Sequence, residues 1–461
     1  MITFVVRRVV PLIGLAVVLG ALVRNQRVPE PSADAWFHLR FGAEFRHSWS
    51  LRDPGHLSVY DSADWVPTQW LPQVAMAWIE EQVGIAGIVF ATGVLVLVLA
   101  VSLYLTCRQL AAPLPSAIAC AAGMMAASPG LSARPQLFSY AFVILTVGAW
   151  LATARDGKPR YWLVALAWLW PMLHGMWPVG ISISLAAAVG MALQQGDRSR
   201  TALRWGVIPV ASMVAAFLNP LGSSVVRGLF DVGARSSYFA EWGPTDFTQP
   251  AAAVLAVITA LVLLTGLRSE PLPWVHVLLG LLGLAWELYS MRTTPVAAFI
   301  LAPMLASAIQ RVVPLADPPS RPELVSVASM LVVACSGLAL VSAHRASEEV
   351  VPAWVDRRLE ALPPATKVLN DWPSGSYVLA RHPDLQLVMH GYGDVFTDEE
   401  LERNADLARM QPGWDRLVED LDADIALLDP DTALGYSVEH LLGWTRVEGD
   451  DDFVLLTPPQ S

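Results

Sequence analysis

A short run after the first apolar segment carries side chains that are well suited to chemistry. It spans Asp34–Arg40 and reads DAWFHLR. A carboxylate among aromatic rings at a membrane surface can bind a divalent cation or accept a proton from a hydroxyl group. The plainer interpretation makes Asp34 the N-cap of a helix over residues 35–45 and His38 a solvated side chain.

A second set of residues is suited to binding an anion. Arg134 opens the run Arg134-Pro135-Gln136, and a guanidinium can bind a phosphate through two parallel hydrogen bonds. It can equally well be an interfacial arginine that extends its charge towards water. Arg292 follows an apolar segment that contains Glu287. It either faces a phosphate or pairs with Glu287, in which case its role is structural.

Two further positions carry polar groups next to apolar segments. His174-Gly175 separates two short apolar runs, where the imidazole is either a ligand and proton carrier or part of a polar turn. Glu241-Trp242 lies downstream of a predicted turn at 219–222. The carboxylate can hold an acceptor or a metal ion, whereas Trp242 alone would suit an ordinary interface anchor.

The elements that must position these residues are apolar helices. Hydrophobic residues make up 54% of the chain and charged residues only 15%, against about a quarter in soluble domains. Ala86–Leu105 and Leu137–Ala154 carry no charge, so each can cross a bilayer as a helix. We predict eleven transmembrane helices, near 9–23, 84–106, 114–129, 137–154, 161–173, 178–194, 205–218, 251–267, 273–290, 295–310 and 323–343.

Basic residues predict the orientation of this multi-pass protein in the inner membrane. Arg7 and Arg8 place the N-terminus in the cytoplasm, and Arg108, Arg160 and Arg311 fall in loops on the same side. Eleven crossings then place the C-terminal part outside. The candidate residues around positions 34, 134, 174, 241 and 292 would all lie on the extracytoplasmic side.

Charge divides the chain into two predicted domains. Residues 1–347, with 17 acids and 22 bases, form a transmembrane domain with a large extracytoplasmic loop at 24–82. Residues 348–461 hold 24 acids and 8 bases, which argues against nucleic-acid binding. We predict a small α/β domain there, with strands at 367–369, 377–379, 385–389, 425–428 and 453–456 and helices at 399–410, 414–421 and 438–442.

Several function classes find no support in the motifs. The sequence has no P-loop, no G-x-S-x-G, no H-E-x-x-H and no dinucleotide-binding fingerprint. ATP-driven pumping and soluble hydrolase chemistry are therefore disfavoured. The three cysteines lie in or beside apolar segments, which indicates neither a disulfide framework nor a cysteine metal site.

The order of the motifs resembles that of a bacterial branch of the GT-C superfamily of glycosyltransferases. That superfamily includes protein mannosyltransferases and the catalytic subunits of oligosaccharyltransferases. The matching motifs are D-x-W-x-H-L-x-x-G (Asp34 to Gly42), W-L (Trp70-Leu71), R-P-Q (134–136), H-G (174–175), N-P-x-G (219–222), E-W (241–242), R-x-x-P (292–295), the tail pattern of Asn370, Gly375 and Tyr377, and Gly443-Trp444. The tail departs from the pattern at 390–394, which read HGYGD.

The resemblance implies a GT-C-like helix bundle and an inverting transfer from a polyprenyl-phosphate sugar. The acceptor would be a glycan, lipid or protein of the cell envelope. Asp34, His174 and Glu241 would be catalytic, and Asp34 and Glu241 would hold any divalent cation, Mg²⁺ or Mn²⁺. The residues implied in substrate binding are Trp36, His38, Arg40, Trp70, Arg134, Gln136, Trp242 and Arg292.

Two other functions remain open at this point. A non-catalytic protein of the same fold could bind or assemble lipid-linked glycans, and its function would then survive loss of Asp34. A secondary transporter is less well supported, because such proteins are built from internal repeats with broken helices near the membrane midplane. The sequence has no evident repeat, and its polar candidates cluster on one predicted side.

Overall fold

The computed structural model describes residues 8–58, 60, 65–194, 198–268, 272–313 and 318–459. Arg7, used above for the orientation, lies outside these ranges, as do residues 59 and 61–64 of the predicted first loop. Within the described residues, nineteen α-helices form. They are α1 (Val10–Arg24), α2 (Ala35–His47), α3 (Trp70–Val83), α4 (Ile85–Cys107), α5 (Pro113–Ala126), α6 (Gln136–Asp156), α7 (Trp162–Leu173), α8 (Trp177–Gln194), α9 (Arg198–Ala216), α10 (Ser224–Ala234), α11 (Pro250–Arg268), α12 (Trp274–Tyr289), α13 (Thr294–Val312), α14 (Arg321–Arg345), α15 (Ala353–Glu360), α16 (Trp372–Arg381), α17 (Asp398–Ala408), α18 (Trp414–Leu421) and α19 (Ala433–His440).

All eleven predicted apolar segments are helical in the described residues. In the described residues, five helices are long and apolar enough to cross a membrane: α4, α6, α8, α13 with the turn before it, and α14. Six shorter apolar helices complete the set, corresponding to α1, α5, α7, α9, α11 and α12. They are helical because a backbone in lipid must satisfy its own N–H and C=O groups within the segment.

The chain divides into two compact units. The first unit contains Met1–Arg27, Val89–Val225 and Phe239–His344. The second contains Val28–Ile88, Val226–Tyr238 and Arg345–Ser461. The C-terminal part therefore belongs to one unit with the first loop, whose helices are α2 and α3.

Helix α13 is the centre of the first unit. Every residue from Thr294 to Ala306 is buried, and α13 packs against α5, α6, α11 and α12. Small residues allow close helix crossings, as expected where lipid gives no hydrophobic drive for association. At Gly190 in α8, a Cβ atom would lie 2.7 Å from the backbone of Val275 in α12.

A buried ion pair joins two helices of the first unit. Arg108, just after α4, donates from Nε to Oε1 of Glu323 at 2.6 Å and from Nη2 to Oε2 at 3.0 Å. Tyr104 donates its hydroxyl to the same carboxylate at 2.8 Å. Both charged side chains are less than a tenth exposed, so this pair ties α4 to the start of α14.

The second unit is built on two helices of the first loop and a small sheet. Helix α2 packs against α3 and against α16 of the C-terminal part. Gly42 permits the α2–α3 crossing, because a Cβ atom there would lie 1.9 Å from the carbonyl oxygen of Gln73. The glycine that closes the D-x-W-x-H-L-x-x-G motif thus has a packing role.

The sheet has five strands in the order β2-β1-β3-β5-β4. Strands β1, β2 and β3 are parallel, and β4 and β5 are antiparallel at one edge. Their bounds are β1 (Lys367–Asn370), β2 (Gln386–Leu387), β3 (Ile425–Leu428), β4 (Thr445–Gly449) and β5 (Val454–Thr457). The predicted mainly helical bundle with a small C-terminal α/β part is confirmed, and β4 and α15 are additional elements.

One predicted strand is wrong. Residues 377–379 lie in α16 instead of a strand. Asp371 is the N-cap of this helix, and its side chain accepts a hydrogen bond from the backbone N–H of Ser374 at 2.9 Å. A proline in the first turn also favours a helix start. These start signals outweigh the β-propensity of Tyr377 and Val378.

Candidate functional site

The central feature of the first unit is a carboxylate shared by two arginines. Arg134 Nη1 lies 3.0 Å from Oε2 of Glu241, and Arg292 Nη1 contacts Oε1 of the same side chain. We call these three residues the Arg–Glu–Arg cluster. The predicted alternative in which Arg292 pairs with Glu287 is not observed. The carboxylate of Glu287 instead accepts a hydrogen bond from Thr259.

A network of turns holds Arg292 in this cluster. Arg292 lies in the 3₁₀ turn between α12 and α13, and the backbone N–H of Met291 donates to the carbonyl of Gly243 at 3.0 Å. Thr293 fixes the turn from the other side, because its hydroxyl donates to the carbonyl of Trp286 at 2.6 Å. The guanidinium of Arg292 lies 4.9 Å from the ring centre of Trp242, a cation–π contact that restrains it.

A second tight turn positions Arg134. The side chain of Gln136 is buried and donates to the carbonyl of Gly130 at 3.1 Å. A Cβ atom on Gly130 would lie 2.6 Å from the Tyr140 hydroxyl and 2.8 Å from Pro295. Only glycine lets this turn approach the starts of α6 and α13 so closely. Gln136 therefore shapes the turn through its bond to Gly130, and its role in substrate binding stays a prediction.

His174 is buried next to the start of α6. Its Nδ1 lies 3.0 Å from the Ser139 hydroxyl and accepts the backbone N–H of Met176 at 3.3 Å. Trp170 Nε1 donates to the same Ser139 hydroxyl at 2.7 Å, so that hydroxyl is oriented to donate to the ring. Nδ1 is thus an acceptor, which assigns the ring proton to Nε2.

Burial and nearby cations keep His174 neutral. Burial lowers the pKa of His174 to about 3, and the positive charges of Arg292 and Arg134 contribute to the shift. For Glu241, burial would raise the pKa, but Arg292 and Arg134 outweigh it and the pKa is lowered. The Arg–Glu–Arg cluster is therefore fully charged at neutral pH, next to an uncharged imidazole.

Two members of this site were missed by the sequence reasoning. Tyr140 is 1% exposed, and its hydroxyl packs against Gly130 in the turn that positions Arg134. Ser139 holds the His174 ring. Their position in the sequence could have indicated them, since both are polar residues that follow the R-P-Q motif at the start of an otherwise apolar helix.

In the second unit, the other predicted residues lie on α2 and α3. Asp34 is the N-cap of α2, although its side chain makes no capping hydrogen bond. Trp36 is buried, donates from Nε1 to the Glu30 carbonyl at 2.8 Å and packs edge-on against Tyr377 at 5.0 Å. The guanidinium of Arg381 lies over the Trp36 ring, 5.3 Å from the ring centre. These contacts give Trp36 a packing role, and its role in substrate binding stays a prediction.

His38 belongs to the same buried layer, which excludes the solvated histidine of the plainer interpretation. It is 2% exposed, and Gln73 Nε2 lies 3.1 Å from its Nδ1. The ring of Tyr392, from the segment that departed from the family pattern, lies 5.9 Å from the ring of His38. Burial raises the pKa of Tyr392, and the negative charges of Asp394 and Asp34 add to this increase. Asp34 therefore acts electrostatically on this C-terminal residue.

Arg40 and Trp70 complete the predicted set. Arg40 pairs with Glu44 one turn along α2, with a distance of 2.9 Å. The Nε atom of Arg40 and the indole nitrogen of Trp70 are buried and make no hydrogen bond with the described residues. Both side chains thus present polar groups beneath the surface of the second unit, where a role in substrate binding stays a prediction.

The described residues hold no group of three or more His, Cys, Asp or Glu side chains with metal-ligand geometry. Both oxygens of Glu241 instead face guanidinium groups. The contacts of Glu241 therefore fit an anion site better than a metal ligand set. A divalent cation at Asp34 or Glu241 stays a prediction.

Comparison with known proteins identifies the fold. No model of a protein family matches the sequence, and no curated protein matches it. The oligosaccharyltransferase AglB from Archaeoglobus fulgidus, in complex with an inhibitory peptide and a dolichol-phosphate, aligns over 91% of this chain and 69% of its own, with a TM-score of 0.58 and 11% identity. Its apo form gives 0.59 and 12% over the same shares.

A third solved structure aligns over almost all of both chains. It is ArnT from Cupriavidus metallidurans bound to undecaprenyl phosphate, which covers 98% of this chain and 99% of its own, with a TM-score of 0.53 and 15% identity. The chain has the fold of the GT-C membrane proteins. The predicted GT-C resemblance is thereby confirmed at the level of fold, and the Arg–Glu–Arg cluster lies at the start of two helices of that fold.

Proposed function

We propose that this GT-C-type protein is a membrane glycosyltransferase that moves a sugar from a polyprenyl-phosphate donor to an acceptor of the bacterial cell envelope. The observation that carries the proposal is the convergence of Arg134 and Arg292 on a single anion, Glu241, at the N-terminal ends of α6 and α13. The neighbouring apolar helices supply the surroundings that a long isoprenoid tail needs.

The electrostatics of this position suit a lipid phosphate. Guanidinium groups bind phosphate oxygens in a fixed planar geometry. Arg134 lies two residues before the first residue of a 21-residue helix. Arg292 lies two residues before the first residue of a 19-residue helix. The positive ends of these two helix dipoles add to the arginine charges. An anion at the cluster would thus experience a positive field from four sources.

The proposed step is inversion at the anomeric carbon. The acceptor hydroxyl attacks that carbon, its proton goes to Asp34, and the bond to the phosphate oxygen breaks. The electron pair leaves with the polyprenyl phosphate, whose growing negative charge Arg134 and Arg292 stabilise. With a pKa of about 3, His174 acts as a neutral hydrogen-bond donor through Nε2.

Glu241 is a poor candidate for the proton acceptor, because both of its oxygens face arginines. This leaves Asp34 as the base among the predicted catalytic residues. In the orientation derived from the basic loops, the N-terminus is cytoplasmic, and transfer takes place on the extracytoplasmic side. The acceptor is a glycan, lipid or protein, and nucleic acid has no part in the reaction.

Binding of undecaprenyl phosphate to the purified protein in lipid nanodiscs tests the anion site. We expect Arg134→Ala and Arg292→Ala each to weaken binding roughly 10- to 100-fold, since each removes a charge-assisted hydrogen bond to the phosphate. Arg311→Ala is the matched control, because Arg311 lies in the last turn of α13, at the opposite end of that helix from Arg292, and hydrogen-bonds to Ser307.

Equal affinity in all three variants would contradict the proposal, as would failure of the wild type to bind. Tight binding that depends on both arginines, without any sugar transfer, would instead favour the non-catalytic carrier function.

A further inference from the structure

The charge of the Arg–Glu–Arg cluster is set by Glu241. The two arginines alone would contribute two positive charges, and the Glu241 carboxylate, which contacts both of them, reduces the net charge to one. His174, whose pKa is lowered by burial and by the charges of Arg292 and Arg134, is uncharged at neutral pH. Trp242 adds only an aromatic face against Arg292.

The donor and the lipid product of the proposed reaction differ in charge. A polyprenyl-phosphate sugar is a phosphodiester with one negative charge. The released polyprenyl phosphate is a monoester whose second ionisation falls near pH 6, so it carries almost two negative charges at pH 7.5. A site with two unopposed arginines would therefore hold the product more strongly than the donor and would be blocked by it.

We propose that Glu241 is a specificity-determining residue that weakens the hold of the cluster on the dianionic lipid product and so allows its release. This inference rests on the proposed function, because it assumes that the lipid phosphate binds at Arg134 and Arg292. Repulsion by a fixed carboxylate is proportional to the charge of the ligand. Glu241 therefore opposes a dianion about twice as strongly, in free energy, as a monoanion.

The position of Glu241 suits this role. Its carboxylate is partly exposed, so a ligand can reach it: the side chain is 37% exposed, and the side chains of Arg134 and Arg292 are 27% and 20% exposed. It also belongs to the short 3₁₀ turn of Ala240–Trp242, which is tied to the Arg292 turn through the hydrogen bond between Met291 and Gly243. A carboxylate held in this way stays next to the arginines when a phosphate arrives.

The test compares two lipids that differ by one negative charge and one methyl group. Undecaprenyl phosphate is the dianionic probe, and its methyl phosphodiester is the monoanionic probe. Dissociation constants for both are measured at pH 7.5 in nanodiscs of neutral lipid, with the wild type, Glu241→Gln and the control Asp246→Asn. Asp246 lies five residues further along the same segment and accepts hydrogen bonds from Thr248 instead of an arginine.

With Glu241→Gln, we expect the diester to bind roughly tenfold more tightly and the monoester roughly 100-fold more tightly. The ratio of the two affinities should thus shift about tenfold towards the product, and Asp246→Asn should leave this ratio unchanged. A structural role for Glu241 would alter both affinities alike. If Glu241→Gln fails to fold, Glu241→Ala is measured in the same way.

An equal change for both probes, or weaker binding of the monoester, would overturn the inference. Failure of the proposed function has a different signature. In that case neither probe binds the wild type, or binding persists in Arg134→Ala and Arg292→Ala.

Discussion

The Ser139 hydroxyl lies 3.0 Å from Nδ1 of His174 and orients the imidazole so that its proton is on Nε2. This contact predicts a selective defect in Ser139→Ala. The variant should keep its affinity for undecaprenyl phosphate but transfer sugar roughly 5- to 10-fold more slowly, because the ring is less well held. Sugar transfer and lipid binding are measured side by side.

Ser212→Ala is the matched control for this variant. Ser212 is also a buried serine of the first unit, and its hydroxyl makes no hydrogen bond with the described residues. The control should be as active as the wild type. A loss of lipid binding in Ser139→Ala that equals its loss of transfer would contradict the positioning role.

The low pKa of His174 predicts acid sensitivity. The pKa is about 3 in the folded protein and about 6.5 in an unfolded chain. Because the unfolded chain takes up the proton first, the stability that neutral His174 contributes is fully present above pH 6.5 and is lost as the pH falls towards 3. As the pH falls below 6.5, the free energy of unfolding of the wild type should therefore decrease by about 1 kcal/mol per pH unit relative to that of His174→Gln.

The measurement is the thermal unfolding midpoint in detergent at pH 7.5, 6.5 and 5.5. His47→Gln is the control, since His47 is an exposed residue at the end of α2 and should follow the wild type. Parallel curves for the wild type and His174→Gln would show that His174 is not buried in its neutral form.

The Arg108–Glu323 pair predicts a large loss of stability. Arg108→Ala leaves a buried carboxylate without its cation, which should destabilise the first unit by about 3–5 kcal/mol. The double variant Arg108→Met with Glu323→Leu should recover most of that loss, because it removes both charges. Thermal unfolding of the purified variants checks both expectations.

An exposed ion pair provides the comparison. Arg46 and Glu81 of the second unit also form an ion pair, but Glu81 is 49% exposed. Arg46→Ala should therefore change the free energy of unfolding by less than about 1 kcal/mol. If Arg46→Ala and Arg108→Ala were equally destabilising, burial would not be what makes the Arg108 pair important.

Gly42 offers a test of the packing of the second unit. The added methyl group in Gly42→Ala would meet the Gln73 carbonyl at 1.9 Å, so α2 and α3 must move apart. We expect a loss of about 1–3 kcal/mol and faster proteolysis of the first loop. Gly233→Ala in α10 is the control, since a Cβ atom there meets nothing within 4 Å. Equal protease resistance in both variants would contradict the close crossing.

Chelation separates lipid binding from any cation-dependent step. Because Arg134 and Arg292 supply the positive charge of the anion site, EDTA should leave the affinity for undecaprenyl phosphate unchanged. If a divalent cation acts at Asp34, sugar transfer should fall with EDTA and return with Mg²⁺ or Mn²⁺. Loss of lipid binding on chelation would contradict an anion site made of arginines alone.

The membrane helices were predictable because long uncharged runs have one stable conformation in lipid. Ala86–Leu105 is such a run and lies within α4. The strand predicted over 377–379 was wrong because β-propensity was weighed without the capping signal of Asp371.

Contacts between residues distant in sequence were beyond prediction from local patterns. Arg134 and Arg292 were each recognised as possible phosphate ligands, but Glu241 lies 107 residues from the first and 51 from the second. The bridging of both arginines by this one carboxylate depends on how α6, α12 and α13 pack. The buried layer of Trp36 and His38 likewise involves Tyr377 and Tyr392, which local sequence patterns do not link to α2.

The most direct test of the central claim is sugar transfer itself. Purified protein in nanodiscs is incubated with radiolabelled polyprenyl-phosphate sugars and cell-envelope acceptors, and the label that leaves the lipid is followed for the wild type and Asp34→Asn. We expect transfer by the wild type and a loss of at least about 100-fold in Asp34→Asn, with undecaprenyl phosphate binding retained. Transfer at the same rate in Asp34→Asn, or no transfer from any donor, would contradict the account.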